Sequence, residues 1–378
     1  MQHLALVALG LVAGVLLLAR IPTPRRAAGR DGDPDGGAAS ARVSVVVPAR
    51  DEERTLPVLL TSLRSLDPAP HEVIVVDDGS TDTTVPVAEA RGATVVTTTP
   101  PPGWAGKPWA CHVGAETATG THLLFLDADT WLAPGALGAL VGEHASRGGL
   151  VSVQPHHHTE RAYEQLSAFF NLTAMMGTGA FAVGGPSPGA MAFGPCLLTT
   201  VADYQVAGGH AAVRAEVVED VHLARRYRAE GLPVSCLGGG DVVGFRMFPA
   251  GLHQLVQGWT KNIASGAGLS PPWALVGTVA WICACVAVAL AGVRGLAGWT
   301  FGDGAVPVAA SVAWAVVALE LRWLLGRVGT WRWWTALVFP VPLVAFLALF
   351  FRSLAITLVG GEVTWRSRRL PVGVRSGR

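Results

Sequence analysis

The sequence contains no C-x-x-C pair, carries almost no net charge, and has long stretches with no charged residue at all. Its five cysteines, Cys111, Cys196, Cys236, Cys283 and Cys285, show no zinc-type spacing, and their odd number fits a reducing compartment rather than a disulfide framework. A formal net charge of +1 gives no footprint for a polyanion, so nucleic acid is not an expected partner. No basic residue precedes the first apolar run, and Arg20, Arg25, Arg26 and Arg30 all follow it, the reverse of a cleavable signal peptide.

The uncharged stretches carry the next inference. Residues 1–19 and the run from Trp273 to Val293 hold no Asp, Glu, Lys or Arg, and both approach the ~20 residues that cross a bilayer as a helix. Two further apolar runs follow, Ala305–Leu325, with Glu320 and Arg322 near its end, and Trp333–Phe351. We therefore expect an N-terminal transmembrane helix over 1–20 and a C-terminal transmembrane region of about three segments over 273–360. The arginines after residue 19, with Arg322, Arg327 and Arg332, place the polar middle in the cytoplasm, in a multi-pass protein of the cell membrane. Three C-terminal spans would export the basic tail, 361–378, against its own arginines. Pro340 and Pro342 are placed to break the last run into a re-entrant or interfacial piece.

Between these ends, residues 21–42 are rich in Pro, Gly, Ala and charge and read as a flexible linker. From Val43, short β-branched runs alternate with helical patterns. Strands are expected at 43–47, 72–76, 93–97 and 122–126, with helices from about Thr55, after Asp82 and near Pro108. Continuous apolar strands joined by crossover helices imply an α/β fold with a mostly parallel, Rossmann-like sheet covered on both faces. Ligands of such sheets bind beyond the carboxyl ends of the strands.

Those ends are acidic. "PARDEE" (48–53), "DDGSTDTT" (77–84) and "DADT" (127–130) each follow a strand, and so many carboxylates on one edge need a cation or hydrogen-bond donors among them. Asp127 and Asp129 could hold a hard ion such as Mg²⁺ or Mn²⁺ with phosphate oxygens, or could simply precede and cap the helix expected at Pro134. Asp77 could accept from a nucleobase or ribose, or could satisfy the turn at Gly79. Lys107 stands in a Gly/Pro/Trp loop before a helix, where it could meet a diphosphate or remain a solvated loop residue, and Trp104 and Trp109 could stack on a base or pack the loop. Glu219 and Asp220 start an amphipathic helix, whose dipole they complement, while Asp220 could also act as a general base. Consecutive histidines in a strand point to opposite faces, so His156, His157 and His158 are left out of any metal site and assigned to a surface loop.

Taken in order, "VVVPARDEE", "VVDDGSTD", "GWAGKPWA", "LFLDADT" and "VEDVHLARRYRAEG" resemble the family 2 glycosyltransferases of A-type fold over roughly residues 43–265. More narrowly, "SVQPHHHTERAYEQLSAFF" and "FRMFPAGLHQLVQGWTKN" look like the membrane glycosyltransferases of carotenoid and hopanoid pathways. The resemblance implies an inverting transfer from a nucleotide diphosphate sugar, UDP-glucose first among them, to a lipid acceptor. It assigns Pro48, Ala49, Glu52, Asp77 and Asp78 to the donor and Asp127 and Asp129 to the D-x-D pair, with Asp129 the direct ligand of Mg²⁺ or Mn²⁺. Asp220 is assigned as the base. Polymer-forming members carry Q-x-x-R-W, whereas "HQLVQGWTKN" keeps Gln257 and Trp259 without the Arg, which argues against a polymerase. Trp259 then faces either the acceptor side or the packing beneath the first C-terminal span. Two other functions are weighed against this one: transfer to polyprenyl phosphate, and a catalytically idle membrane adaptor.

Overall fold

The computed structural model describes residues 2–25, 41–185, 191–216, 218–301, 308–359, 362–365 and 368–371. Residues 26–40 of the expected linker and 372–378 of the tail lie outside the described residues.

The chain opens with helix α1 (Gln2–Leu17), and after the linker β1 (Val43–Ala49), α2 (Leu56–Arg64), β2 (Glu72–Asp77), α3 (Thr84–Glu89) and β3 (Thr94–Thr97) alternate. The alternation continues with α4 (Gly106–Thr117), β4 (His122–Leu126), β5 (Thr130–Leu132), α5 (Ala136–Arg147), β6 (Leu150–Gln154) and β7 (His156–His158). A 3₁₀ turn (Ala162–Ser167) and α6 (Ala168–Thr178) precede β8 (Cys196–Thr200), α7 (Val201–Val206), α8 (Glu219–Ala229), β9 (Val234–Gly238) and β10 (Val243–Phe245). Helices α9 (Leu252–Leu269), α10 (Pro272–Phe301), α11 (Val308–Val328), α12 (Trp333–Leu337) and α13 (Pro340–Val359) follow, and a hairpin of Glu362–Trp365 with Arg368–Pro371 closes the chain.

These elements form two compact units, Pro22–His157 with Met191–Met247, and Met1–Ile21 with His158–Ala190 and Phe248–Arg378. The expected catalytic span of 43–265 is thus divided, because His158–Ala190 and the chain from Phe248 pack with the helices of the second unit.

The first unit is built on a seven-stranded sheet of order β3-β2-β1-β4-β8-β6-β9. Only β8 runs against its neighbours, so the sheet is mostly parallel, as the apolar runs imply. Both faces are covered. Val43, Val45 and Val47 face Leu56, Leu59, Leu63 and Leu140 of α2 and α5, while Val46 faces Ala110, Cys111, Leu223 and Tyr227 of α4 and α8. Each such leucine contributes about 1.5–3 kcal/mol by leaving water. Register sets Ala49 opposite Asp77 and Val46 opposite Phe125, which aligns the acidic carboxyl ends of β1, β2 and β4. In a smaller sheet β10 pairs with β5 and β7. The three histidines are therefore strand residues and not a surface loop: His157 is buried with its ring 5.0 Å from Phe245.

In the second unit three helices are long and apolar enough to cross a membrane, over Pro272–Gly295, Val308–Val328 and Pro340–Leu358, while the apolar part of α1, Ala5–Leu17, is shorter. The last expected run breaks just before Pro340, and α13 starts there because proline at a first helical position lacks only an N–H that has no intrahelical partner anyway. Helix α1 lies against α10 at Gly10 and Gly14, where a side chain would overlap Ala280, Ala284 and Trp281. Arg327 of α11 donates to the carbonyls of Leu18 and Ala19 just past the end of α1, satisfying acceptors that the helix leaves over.

Replacing Gly14 by Val should cost about 1–3 kcal/mol through overpacking. Gly142→Ala, at an exposed site of α5 with nothing near its Cβ position, should be neutral or stabilising by up to about 1 kcal/mol. Thermal unfolding of the detergent-solubilised variants checks the pair, and equal loss in both would refute close α1–α10 packing.

Candidate active site

The loops after β1 and β2 brace one another. Thr81 N–H donates to Asp51 Oδ1 at 2.8 Å, Asp51 N–H donates to Ser80 Oγ at 2.9 Å, and Glu53 Oε2 accepts from Thr83 Oγ1 at 2.8 Å. Asp82 accepts from Thr84 N–H at 2.9 Å and from Glu53 N–H at 3.2 Å. Burial works against the Asp82 charge, but the bonds from Thr84 and Glu53 outweigh it and hold its pKa below the ordinary value. Glu52 accepts from the Thr55 hydroxyl and its N–H donates to Thr84 Oγ1 at 2.7 Å. Asp51, Glu53 and Asp82 are therefore fastened into the scaffold.

Pro48 and Ala49 end β1 beside Asp77 and Asp78. Asp77 is buried and accepts from Ser80 N–H at 3.1 Å, which is the turn-stabilising role open to it from the sequence. Asp78 N–H donates to the Ala49 carbonyl at 2.9 Å, and Arg50 Nη1 donates to the Asp78 carbonyl at 2.7 Å. Backbone and side-chain groups of both strand ends thus line one fixed edge.

The D-x-D turn is held by its backbone. Thr130 Oγ1 donates to the Asp127 carbonyl at 2.7 Å, Asp127 N–H to Pro195 and Arg246 N–H to the Asp129 carbonyl. Neither aspartate caps the next helix, whose N-cap is Gly135, so the capping alternative does not hold.

Lys107 stands in the first turn of α4 and is the cation that the acidic edge requires. Its Nζ lies 2.8 Å from Asp127 Oδ1 and 3.0 Å from Glu219 Oε1. Burial opposes the ammonium, yet Asp127 and then Glu219 prevail and hold its pKa well above the ordinary lysine value. Glu219 itself is buried, and its neighbour Asp220 completes the cluster: a Cβ at Gly194 would stand 3.1 Å from both Asp220 Oδ2 and Lys107 Nζ. Asp220 accepts from Val221 N–H at 2.9 Å and from the Gly194 amide. Burial, and then the charge of Glu219, push the Asp220 carboxyl up to about 7, against the pull of Lys107.

The remaining aromatic and imidazole groups pack. Trp109 donates to Thr98 Oγ1 at 2.8 Å, and Trp104 stacks on His112 with centroids 5.0 Å apart. His210 is buried against Phe125 and contacts the Tyr204 hydroxyl at 2.9 Å; burial lowers its pKa to about 3, so it is neutral. In the helical unit, Trp259 is buried, stacks on Phe170 at 4.6 Å and donates to Ser167 Oγ at 3.0 Å, so its ring and N–H serve packing. Gln257 contacts His253 one turn back at 3.4 Å.

The structure thus brings Lys107, Asp127, Glu219 and Asp220 together, with Asp129 two residues along. Sequence reading did not single out Glu219 or Gly194 for the site. Glu219 adjoins the suspected base and complements the helix dipole, which masked its second role, and Gly194 carries no local signal. Among the described residues no three His, Cys, Asp or Glu side chains group as a metal site. The donor set fits an ion of the Mg²⁺ type, which takes one or two carboxylates and fills its shell with phosphate and water.

The family model for glycosyl transferase family 2 matches residues 44–179. The 4,4'-diaponeurosporenoate glycosyltransferase of Staphylococcus aureus strain MRSA252 is 33% identical over 336 residues, 87% of this chain and 88% of that protein. Its counterpart in strain USA300 is 34% identical over 337 residues, with the same coverage of each chain. Among solved structures, a mannosyltransferase from Pyrobaculum calidifontis in complex with GDP-Man and Mn²⁺ superimposes with a TM-score of 0.50 and 22% identity, covering 92% of this chain and 97% of that one.

The raised Asp220 pKa has a signed consequence for stability. Between the ordinary value of 3.8 and about 7 the folded state holds a proton that the unfolded state has released, so stability falls as pH rises through this window and is level on either side. Asp220→Asn should remove that slope and gain on the wild type at pH 8 relative to pH 3.5. Thermal unfolding across pH checks it, and parallel curves would show that the carboxyl is unperturbed.

Proposed function

The chain belongs to glycosyltransferase family 2, and from that premise we propose that it moves glucose from UDP-glucose, with inversion, onto a lipophilic acceptor of carotenoid or hopanoid type. The observation that carries the reading is the placement of Lys107 between Asp127, at the end of β4, and Glu219, beside Asp220. A donor-side acid and an acceptor-side acid then share one cation. The names of the S. aureus relatives support the carotenoid acceptor, and the Mn²⁺ and GDP-Man of the P. calidifontis enzyme suit a nucleotide-sugar donor with a divalent ion.

In this reading Pro48, Ala49, Glu52, Asp77 and Asp78 receive the nucleoside, and Asp127 and Lys107 face the sugar and diphosphate. Asp129 would hold Mg²⁺ or Mn²⁺, which when bound offsets charge on the leaving diphosphate. Asp220 takes the proton of the acceptor hydroxyl as its oxygen bonds to the anomeric carbon. The anomeric C–O bond to phosphate breaks on the opposite side, and UDP leaves with the electron pair. One displacement inverts the centre without a covalent enzyme intermediate. A general base works best with a pKa near the operating pH, which the burial of Asp220 provides. The acceptor is taken to reach the site from a bilayer, in which the long apolar helices are embedded.

A second reading follows from the acceptor's charge. A carboxylate, which the relatives' substrate name denotes, or a polyprenyl phosphate is already an anion and has no proton to lose. For such an acceptor the protonated Asp220 carboxyl would donate a hydrogen bond to the nucleophile and not act as a base.

Membranes from expressing cells, incubated with radiolabelled UDP-glucose and Mn²⁺ and partitioned into organic solvent, test these readings. Asp129→Ala should lower organic-phase label by a factor of about 100 or more. Loss in Asp220→Asn as well supports a hydroxyl acceptor, and retention with Asp129 dependence supports an anionic one. Label unaffected by either change would refute the mechanism. Failure of the purified protein to bind UDP with Mn²⁺ would favour an idle adaptor instead.

A further inference from the structure

Within the helical unit, side-chain contacts give a scale of depth. Leu17 of α1 meets the Cβ position of Gly277 on α10, and Arg327 near the end of α11 reaches the carbonyls of Leu18 and Ala19. One level farther in, Gly14 adjoins Trp281, whose indole donates to Glu320 at 3.0 Å. Farther still, Gly292 of α10 adjoins Trp314 of α11. The end of α1, the start of α10 and the end of α11 therefore share one end of the bundle, here the near end, and Trp314 lies ~20 Å along α11 from Arg327 at the helical rise.

Helix α13 runs the wrong way for a third crossing. The chain leaves α11 at the near end, where the Arg332 N–H and Thr335 Oγ1 both donate to Gln165 Oε1. It then descends through the short α12, so that Trp314 donates to the Leu337 carbonyl at 3.0 Å and stands 4.7 Å from the Phe339 ring. The eight residues from Arg332 to Phe339, largely helical, advance only ~10 Å, far short of the ~30 Å of a hydrocarbon core. From Pro340 the helix rises again. Phe346 meets Phe170 of α6 at 5.1 Å, and the buried Ser353 donates to the Thr260 carbonyl of α9 at 2.7 Å. Helix α9 leads directly into the start of α10, and the closing hairpin packs on α9. Thus α13 begins deep and ends at the near end, packed chiefly on α9, α6 and the 3₁₀ turn.

We propose that α12 and α13 form a re-entrant pair that enters the bilayer from the side on which α1 ends and leaves by that same side, with the outer face of α13 docked on lipid. The inference rests on the reading that this unit is embedded in a membrane. The lipid-facing surface is a stripe of Val341, Val344, Phe351 and Leu358, all exposed, opposite the buried Leu343, Phe346 and Ser353. Spacings of three and seven put the exposed four on one side of the helix. The stripe continues the exposed apolar surface that α10 and α11 present through Val276, Val279, Val312 and Leu319. Exposed Arg352 on α13 supplies charge for anionic headgroups at the surface. Re-entrant backbone is tolerated at such depth where it is helical and packed on protein, as α13 is. The tail then returns to the side of Arg327 and Arg332, and the charge conflict of a third span disappears.

Single cysteines in the full-length protein, in a Cys283→Ser background, test this with a membrane-impermeant maleimide on intact and permeabilised cells. Arg25→Cys marks the side on which α1 ends, Gly304→Cys the connection between α10 and α11, and Ser376→Cys the tail. The expected result is that 25 and 376 label alike and opposite to 304. Tail labelling that follows 304 would overturn the re-entrant assignment while leaving the embedded bundle intact. If all three label alike, α10 and α11 do not cross, and the membrane reading falls together with the proposal. The transfer assay above is independent of each of these outcomes.

Discussion

Carboxylates gathered at the carboxyl edge of a parallel sheet repel one another, and in this fold the ammonium of Lys107 is what allows them to stay close. It reaches Asp127 from one side and Glu219 from the other, and Gly194 leaves space where a Cβ would press on it at 3.1 Å. Half-buried charges interact far more strongly than solvated ones, so the pair orders two loops and the start of α8 together. The same arrangement explains the asymmetry between the two acids of α8. Glu219 takes the cation, while Asp220, left with backbone donors and a negative neighbour, becomes the carboxyl whose proton is held to about 7.

A different constraint governs the helical unit. In the proposed membrane-embedded reading, apolar helices gain little from hiding apolar surface and associate instead through close backbone approach and polar contacts. Gly10 and Gly14 provide the first against α10, and the Trp281–Glu320 hydrogen bond with the Arg327 cap on α1 provides the second. These contacts hold α1, α10 and α11 in one register, and α1, whose apolar stretch Ala5–Leu17 is shorter than those of the three long helices, meets α10 through two of its glycines.

Much of the sheet was legible because its signals are local and redundant. The runs at 43–47, 72–76 and 122–126 are continuous, β-branched or leucine-rich, and end at turn residues, so strand type and a parallel sheet follow from pattern alone. The acidic edge was legible as an edge, but its division of labour was not. Asp51, Glu53 and Asp82 look the same in sequence as Asp77 and Asp78, and only the cross-bonds between the two loops show that the first three are braces. Lys107 was visible as a cation near the site; its two partners lie 20 and 112 residues away along the chain, a pairing that no local pattern encodes. The histidine run reads in sequence as a loop, since nothing in its composition predicts that β10 pairs with it. In the C-terminal block, hydropathy identifies an apolar segment but contains no direction. Pro340 marks the break, yet whether the following helix continues away from the near end or returns to it is decided by what it packs against, and Ser353 on Thr260 and Phe346 on Phe170 are contacts between segments that composition cannot connect.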